Sequence, residues 1–190
     1  MKNYIFTPGG WDENDFRYIA TARESYRKPF VQEADHIGNC IDDKVTDSDF
    51  VSIISKEKYH TGVVMETTCS FEGSGAPLIV LSNEITTLEN GDLQYGDHFE
   101  VVIYRGGCNI WYIPLVDGKA VSRNVVRVKA PVEENKPVKL RVEMVGKVFR
   151  VNADGHEFDV PCEYLPDEYH VGITGCEGVC RFYDFSVEQK

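Results

Sequence analysis

Six residues of this chain have the types and positions needed for work on a polyhydroxylated ligand: Glu100, Tyr104, Asn109, Trp111, Arg141 and Glu143. Cleavage of a glycosidic bond requires two carboxyl groups flanking it, at a separation that sets the stereochemical outcome. Glu100 and Glu143 are the pair that strand alternation allows on one face, so they are the catalytic candidates. Binding without turnover draws on all six. Tyr104 and Trp111 offer flat apolar planes, while Glu100, Asn109, Arg141 and Glu143 offer donors and acceptors for hydroxyls. Elimination at a uronate would take a base and a neutraliser of the carboxylate from His98, Tyr104, Asn109 and Arg141. The plain alternative is two solvated strand carboxylates, one of them paired with Arg141.

Other chemistries lack their residue patterns. Ser74 stands in Gly-Ser-Gly without the flanking frame of a nucleophile elbow, and no phosphate-cradling or dinucleotide-binding glycine pattern occurs. The histidines at 36, 60, 98, 156 and 170 are scattered, with no spacing that pairs them as metal ligands. Asp42, Asp43, Asp47 and Asp49 form the densest run of oxygen ligands but lack the EF-hand pattern and its glycine, so a solvated acidic loop is expected there. Cys40, Cys69, Cys108, Cys162, Cys176 and Cys180 contain no C-x-x-C pair. A chain of this size folds without staples, so free core thiols are expected. A turn at Glu177-Gly178-Val179 leaves a Cys176–Cys180 bridge as the alternative. No metal site or cofactor is assigned.

The elements that would position these side chains are strands. Apolar segments recur every eight to twelve residues between turn signals, as in an all-β fold. Asn90-Gly91-Asp92, Gly106-Gly107, Asp117-Gly118 and Gly146-Lys147 mark the turns. Asp12–Lys28 reads either as a helix presenting Phe16, Ile19 and Tyr26 or, over Phe16–Ala22, as a strand. Alternation puts Phe99, Val101 and Ile103 toward the core. A two-residue Gly106-Gly107 loop would pair Tyr104 with Asn109 and Val102 with Trp111, so Glu100, Tyr104, Asn109 and Trp111 share the opposite face, with Ile110 and Tyr112 inside. A one-residue bulge would move the second strand to the other face. Val138, Leu140, Val142 and Met144 point in, while Lys139, Arg141 and Glu143 point out.

The chain has 190 residues and a formal net charge of -11, which opposes nucleic acid and anionic membrane surfaces as partners. One domain spanning 1–190 is expected. The first residues carry no apolar run of signal-peptide length, which reads as cytoplasmic.

The last third carries a resemblance. Leu140-Arg141-Val142-Glu143-Met144-Val145-Gly146 through Val151-Asn152-Ala153-Asp154-Gly155 is similar to the L-x-V-x-x-x-G-x-x-x-V-x-x-D-G hairpin of laminin G-like and concanavalin A-like domains. Val171-Gly172-Ile173 and Arg181-Phe182-Tyr183-Asp184-Phe185-Ser186-Val187 resemble their closing strands. The resemblance implies a two-sheet antiparallel jelly-roll sandwich. It also implies a sugar ligand on the concave sheet, read as non-catalytic carbohydrate binding. The alternatives are a glycan-active enzyme, a hydrolase or lyase, and a protein-interaction domain. Calcium is common in that superfamily, so the resemblance admits it as a cofactor.

Overall fold

The computed structural model describes residues 1–20, 30–39 and 49–190. Two antiparallel sheets face each other. The first has the order Arg123–Lys129, Gly107–Ile113, His98–Tyr104, Ala76–Ser82, Glu168–Cys176, Phe50–Ser55, Phe16–Ala20. The second runs His156–Pro161, Val148–Ala153, Val138–Val145, Val63–Glu72, and then divides. Val63–Glu72 pairs there with Val179–Phe182 at one end and Asp184–Gln189 at the other. Lys2–Ile5 continues outward from Asp184–Gln189. This is the jelly-roll sandwich of the concanavalin A-like type.

The core lies between the sheets, where alternation sends the apolar side chains of both. Phe99, Val101, Ile103, Ile110 and Tyr112 of the first sheet meet Leu140, Val142, Met144, Phe149 and Val151 of the second, all buried. Trp11 closes one edge, with its ring 5.2 Å from Phe6 and its indole N–H donating to Gln32 at 2.8 Å. Glu13–Asp15 is a single 3-10 turn capped by Asp12, and Phe16–Ala20 is strand. The ambiguous segment is therefore strand over its described part; Tyr26 lies outside the described residues. The five described cysteines are free. Cys176 sits on the first sheet and Cys180 on the second, in the core.

The hairpin at 98–113 corrects the expected loop. Tyr104 pairs with Gly107 and Glu100 with Trp111, so the turn residues are Arg105 and Gly106. The partners differ from the expected ones by an even step, and an even step leaves every side chain on its face. Glycine is needed at Gly107, while at Gly106 it leaves room for a neighbouring side chain. A Cβ on Gly106 would stand 2.5 Å from the Tyr104 ring, which folds over the turn. Gly107 has φ 145°, and a Cβ there would stand 2.1 Å from the Val128 carbonyl oxygen of the neighbouring strand.

The first sheet also carries apolar residues on its outer side. Ile19, Ile54, Ala76, Leu78, Val80 and Val102 form a second buried cluster with Tyr95. They are covered by a hairpin, Ile85–Thr87 against Leu93–Tyr95, whose turn contains Gly91 at φ 86°. This hairpin is an excursion between the adjacent strands Ala76–Ser82 and His98–Tyr104. It folds back over the sheet and shapes what remains open.

Candidate functional site

The open part of that outer face is a cleft of ≈ 850 Å³. His98, Glu100, Val102 and Tyr104 come from one strand and Asn109, Trp111 and Ile113 from the next, so alternation aligns them along the floor. Arg127 joins from the edge strand as the register partner of Asn109. The 85–95 hairpin forms one wall through Leu88, Leu93 and Tyr95, and Leu115 and Ala120 form another.

The wall hairpin is fixed by hydroxyls. Tyr95, Ser52 and Thr174 are buried, and the Ser52 hydroxyl bonds to both of the others while reaching the Ile173 carbonyl at 3.1 Å. Burial pushes the Tyr95 phenol well above its ordinary range, so it stays a donor. The Tyr95 ring lies 4.7 Å from His98 and 6.3 Å from Phe50. Asp97 ties the two walls together. Its carboxylate accepts from the Leu115 N–H at 2.8 Å and the Tyr112 hydroxyl at 3.2 Å, and its carbonyl accepts from Asn83 at 3.1 Å.

The floor holds a mixed set of polar groups. His98 Nδ1 lies 2.9 Å from the Gly96 carbonyl, an assigned contact that makes Nδ1 the protonated nitrogen and leaves Nε2 toward Glu100 at 3.8 Å. Asn109 is buried, and its Oδ1 accepts no hydrogen bond among the described residues. Arg127 is exposed and makes no ion pair among the described residues, whereas Arg105 at the rim is held by Glu134. Trp111 is half-buried, with part of its ring on the second apolar cluster and the rest facing the cleft. The Cys176 thiol contacts the Ala76 carbonyl at 3.2 Å, and burial raises its pKa, so it is no nucleophile at neutral pH.

The structure divides the six sequence candidates. Glu100, Tyr104, Asn109 and Trp111 come together in the cleft. Arg141 and Glu143 do not: they belong to Val138–Val145 of the second sheet and point away from the core on the far side of the sandwich. There Arg141 lies 3.5 Å from Glu143, which Lys190 holds at 2.8 Å. The Lys190 ammonium, with help from Arg141, draws the Glu143 carboxyl below its usual range. Sheets pack roughly 10 Å apart, and Glu100 and Glu143 stand on opposite outer surfaces, beyond that spacing and in no common cleft. They cannot flank one glycosidic bond. The error lay in treating outward on two strands as one direction. In a sandwich, outward has two senses, and strand parity alone does not say which sheet a strand joins.

Arg127 and the hairpin wall escaped the sequence reading. A bulge at Val125 shifts the register between Ile110 and Trp111, so alternation carried across from Trp111 loses step before it reaches Arg127. Among the described residues no group of three His, Cys, Asp or Glu could hold a metal ion. Asp42, Asp43 and Asp47 lie outside the described residues, and Asp49 is buried.

No family model matches the chain, and no curated protein matches it in sequence. Solved structures do match in shape. The carbohydrate binding module CBM66 from Bacillus subtilis aligns with a TM-score of 0.62 at 13% identity, over 90% of this chain and 94% of that one. A Bacillus subtilis protein of unknown function with a galectin-like fold aligns at 0.65 and 11% identity, over 100% and 95%. The exoplasmic/lumenal domain of VIP36, in a Ca2+/Man3GlcNAc-bound form, aligns at 0.64 and 12% identity, over 99% and 88%. At these identities the likeness is one of fold.

Proposed function

We propose that this chain binds carbohydrate, without turnover, in the cleft over the first sheet. The observation that carries the reading is the floor itself. A half-buried Trp111 lies beside Glu100, Asn109 and Arg127, giving a flat apolar plane ringed by an acceptor, an amide and a guanidinium that makes no ion pair among the described residues. A pyranose presents the complement: C–H groups on its faces and hydroxyls around its rim. Carboxylate and guanidinium together read a hydroxyl that both donates and accepts. Fixed walls reduce the entropy lost on binding, since the Tyr95 anchor and the Asp97 tie hold them before ligand arrives. A structural neighbour described as a carbohydrate binding module and another described in a Ca2+/Man3GlcNAc-bound form support this reading.

The test is a glycan-array screen of the whole chain, in calcium and in chelator, followed by titration of any hit. Fluorescence of a Trp11→Phe variant reports Trp111 alone. A saturable hit that changes this emission is expected. Trp111→Ala should weaken it at least about 30-fold, the effect of truncating a residue worth about 2 kcal/mol. Glu143→Gln should leave it unchanged, because that carboxylate stands on the other sheet. A blank array at millimolar sugar would reject the reading and favour a protein partner at this cleft.

A further inference from the structure

A second ring platform stands at the edge of the sandwich, on the other side of the strand that carries Trp111. Tyr112 follows Trp111 and faces inward, so Gly107–Ile113 turns one aromatic to each side. Tyr112 stacks on Phe99 at 4.7 Å and 18°, and on Tyr164 at 5.1 Å and 9°. Phe99 leans in turn on Phe149 at 5.4 Å. This column of rings leads from the core to solvent, where Tyr164 is 65% exposed. Tyr112 covers one face of Tyr164, and exposure that high requires the other face to be open.

The exposed ring is held in place. Cys162 and Leu165, on either side of it, are buried. The Cys162 N–H donates to the Lys147 carbonyl at 2.8 Å, and the Lys147 ammonium grips the Leu165 carbonyl and, at 3.0 Å, Asp167. Arg123, Asn124 and Glu163 line the groove beside the ring. Among the described residues Arg123 and Glu163 make no ion pair, and the Asn124 amide makes a single long bond of 3.4 Å to the Val126 carbonyl. An anchored aromatic plane with an open face therefore stands beside a guanidinium and a carboxylate that make no ion pair among the described residues, and an amide held by one long bond. Among the described residues, Arg123–Lys129 and His156–Pro161 are end strands of the two sheets, so free strand edges also border this groove. An added peptide strand is the rival occupant that the experiment below separates from a sugar.

We propose that this groove is a second carbohydrate subsite. It takes one pyranose ring stacked on the open face of Tyr164, with its hydroxyls read by Arg123, Asn124 and Glu163. The assignment uses no residue of the cleft and stands whether or not the cleft binds sugar.

The experiment is a nitrogen-15 NMR titration of the whole chain with four neutral probes: cellobiose, lactose, N,N′-diacetylchitobiose and α-1,2-mannobiose, each to millimolar concentration. The expected result is saturable movement of the Arg123 Nε–H and Asn124 amide signals with at least one probe. It should persist in Trp111→Ala and survive Tyr164→Phe, because stacking needs the ring and not its hydroxyl. Tyr164→Ala should weaken it by about tenfold or more, in a variant whose remaining spectrum is native. Silence of these signals with all four probes would overturn the assignment. So would movement that disappears in Trp111→Ala, or that Tyr164→Ala leaves intact.

Discussion

The Ser52–Tyr95–Thr174 hydroxyl cluster makes a sharp energetic prediction, because its donors can be counted. The single Ser52 proton goes to the Ile173 carbonyl at 3.1 Å, so the bonds that join its oxygen to Tyr95 and Thr174 need those two hydroxyls as donors. Each hydroxyl thus donates once, and Ser52 accepts twice. All three residues are buried, with relative exposures of 0%, 5% and 2%. Tyr95→Phe removes one donor and orphans none, since Ser52 keeps Thr174 and Ile173. The cost is that of one net hydrogen bond, about 1 kcal/mol. Ser52→Ala deletes a single oxygen yet takes the acceptor from two buried donors, each costing about 1–3 kcal/mol if left unpaired, so up to about 6 kcal/mol in all, less whatever Tyr95 and Thr174 recover by bonding to each other. The smaller deletion should therefore be the more damaging. Urea denaturation of the two single variants and the double variant measures this directly. In the double variant the Tyr95 donor is gone, so Ser52→Ala strands only Thr174 and should cost less in that background. Equal costs for the two single variants, or additivity in the double, would refute the donor count and the hairpin anchor built on it.

Three further outcomes follow from burial and charge. Phe185→Ala empties a fully buried site beside Tyr4 and Phe16, and calorimetry should find a loss of about 3–5 kcal/mol; a neutral result would mean the last strand does not face the core as described. Trp111→Ala, on the half-buried cluster, should cost about 1–2 kcal/mol, clearly below the core value, and a core-sized loss would remove Trp111 from the cleft floor. Burial lowers the pKa of His170, whose ring contacts the Ser55 and Glu57 carbonyls at 3.0 and 3.1 Å. The unfolded chain therefore takes up that proton first, so the His170 contribution is complete above about pH 6.5 and is lost as pH falls toward the lower folded value. Denaturation midpoints of His170→Gln should decline less than wild type across that window, and parallel declines would contradict the sign.

Much of the fold was legible because strands write their faces into sequence with period two. Phe99, Val101 and Ile103, like Val138, Leu140, Val142 and Met144, are buried where alternation puts them. The Gly106-Gly107 pair located the hairpin within one residue, and the even step in its register kept Trp111 on the predicted side. Alternation is local, however, and a site is not. Nothing in the spacing of 100 and 143 reports that their strands lie in different sheets. That depends on the order in which Val63–Glu72 and Ala76–Ser82 recruit partners far along the chain. The bulge at Val125 hid Arg127 for a related reason, since one extra residue resets the phase. The wall hairpin was visible only as a turn. Leu88 and Leu93 give no sign of which surface they will cover, because the contact is made with the outer side of a sheet that alternation treats as solvent-facing.

The 85–95 hairpin leaves and rejoins the sheet at Ser82 and His98, which already face each other as register partners. A tight turn could join them, so the hairpin serves the cleft and not the topology. Such an excursion is a replaceable cassette: it can lengthen, shorten or change its tip without moving a strand or disturbing the inter-sheet core. Among the described residues its deepest attachment is Tyr95, which docks on Ser52 and Thr174. The frame and the shape of the cleft are therefore encoded in separable stretches of chain. A loop graft that preserves Tyr95 and Asp97 is the natural way to reshape this cleft without touching the frame.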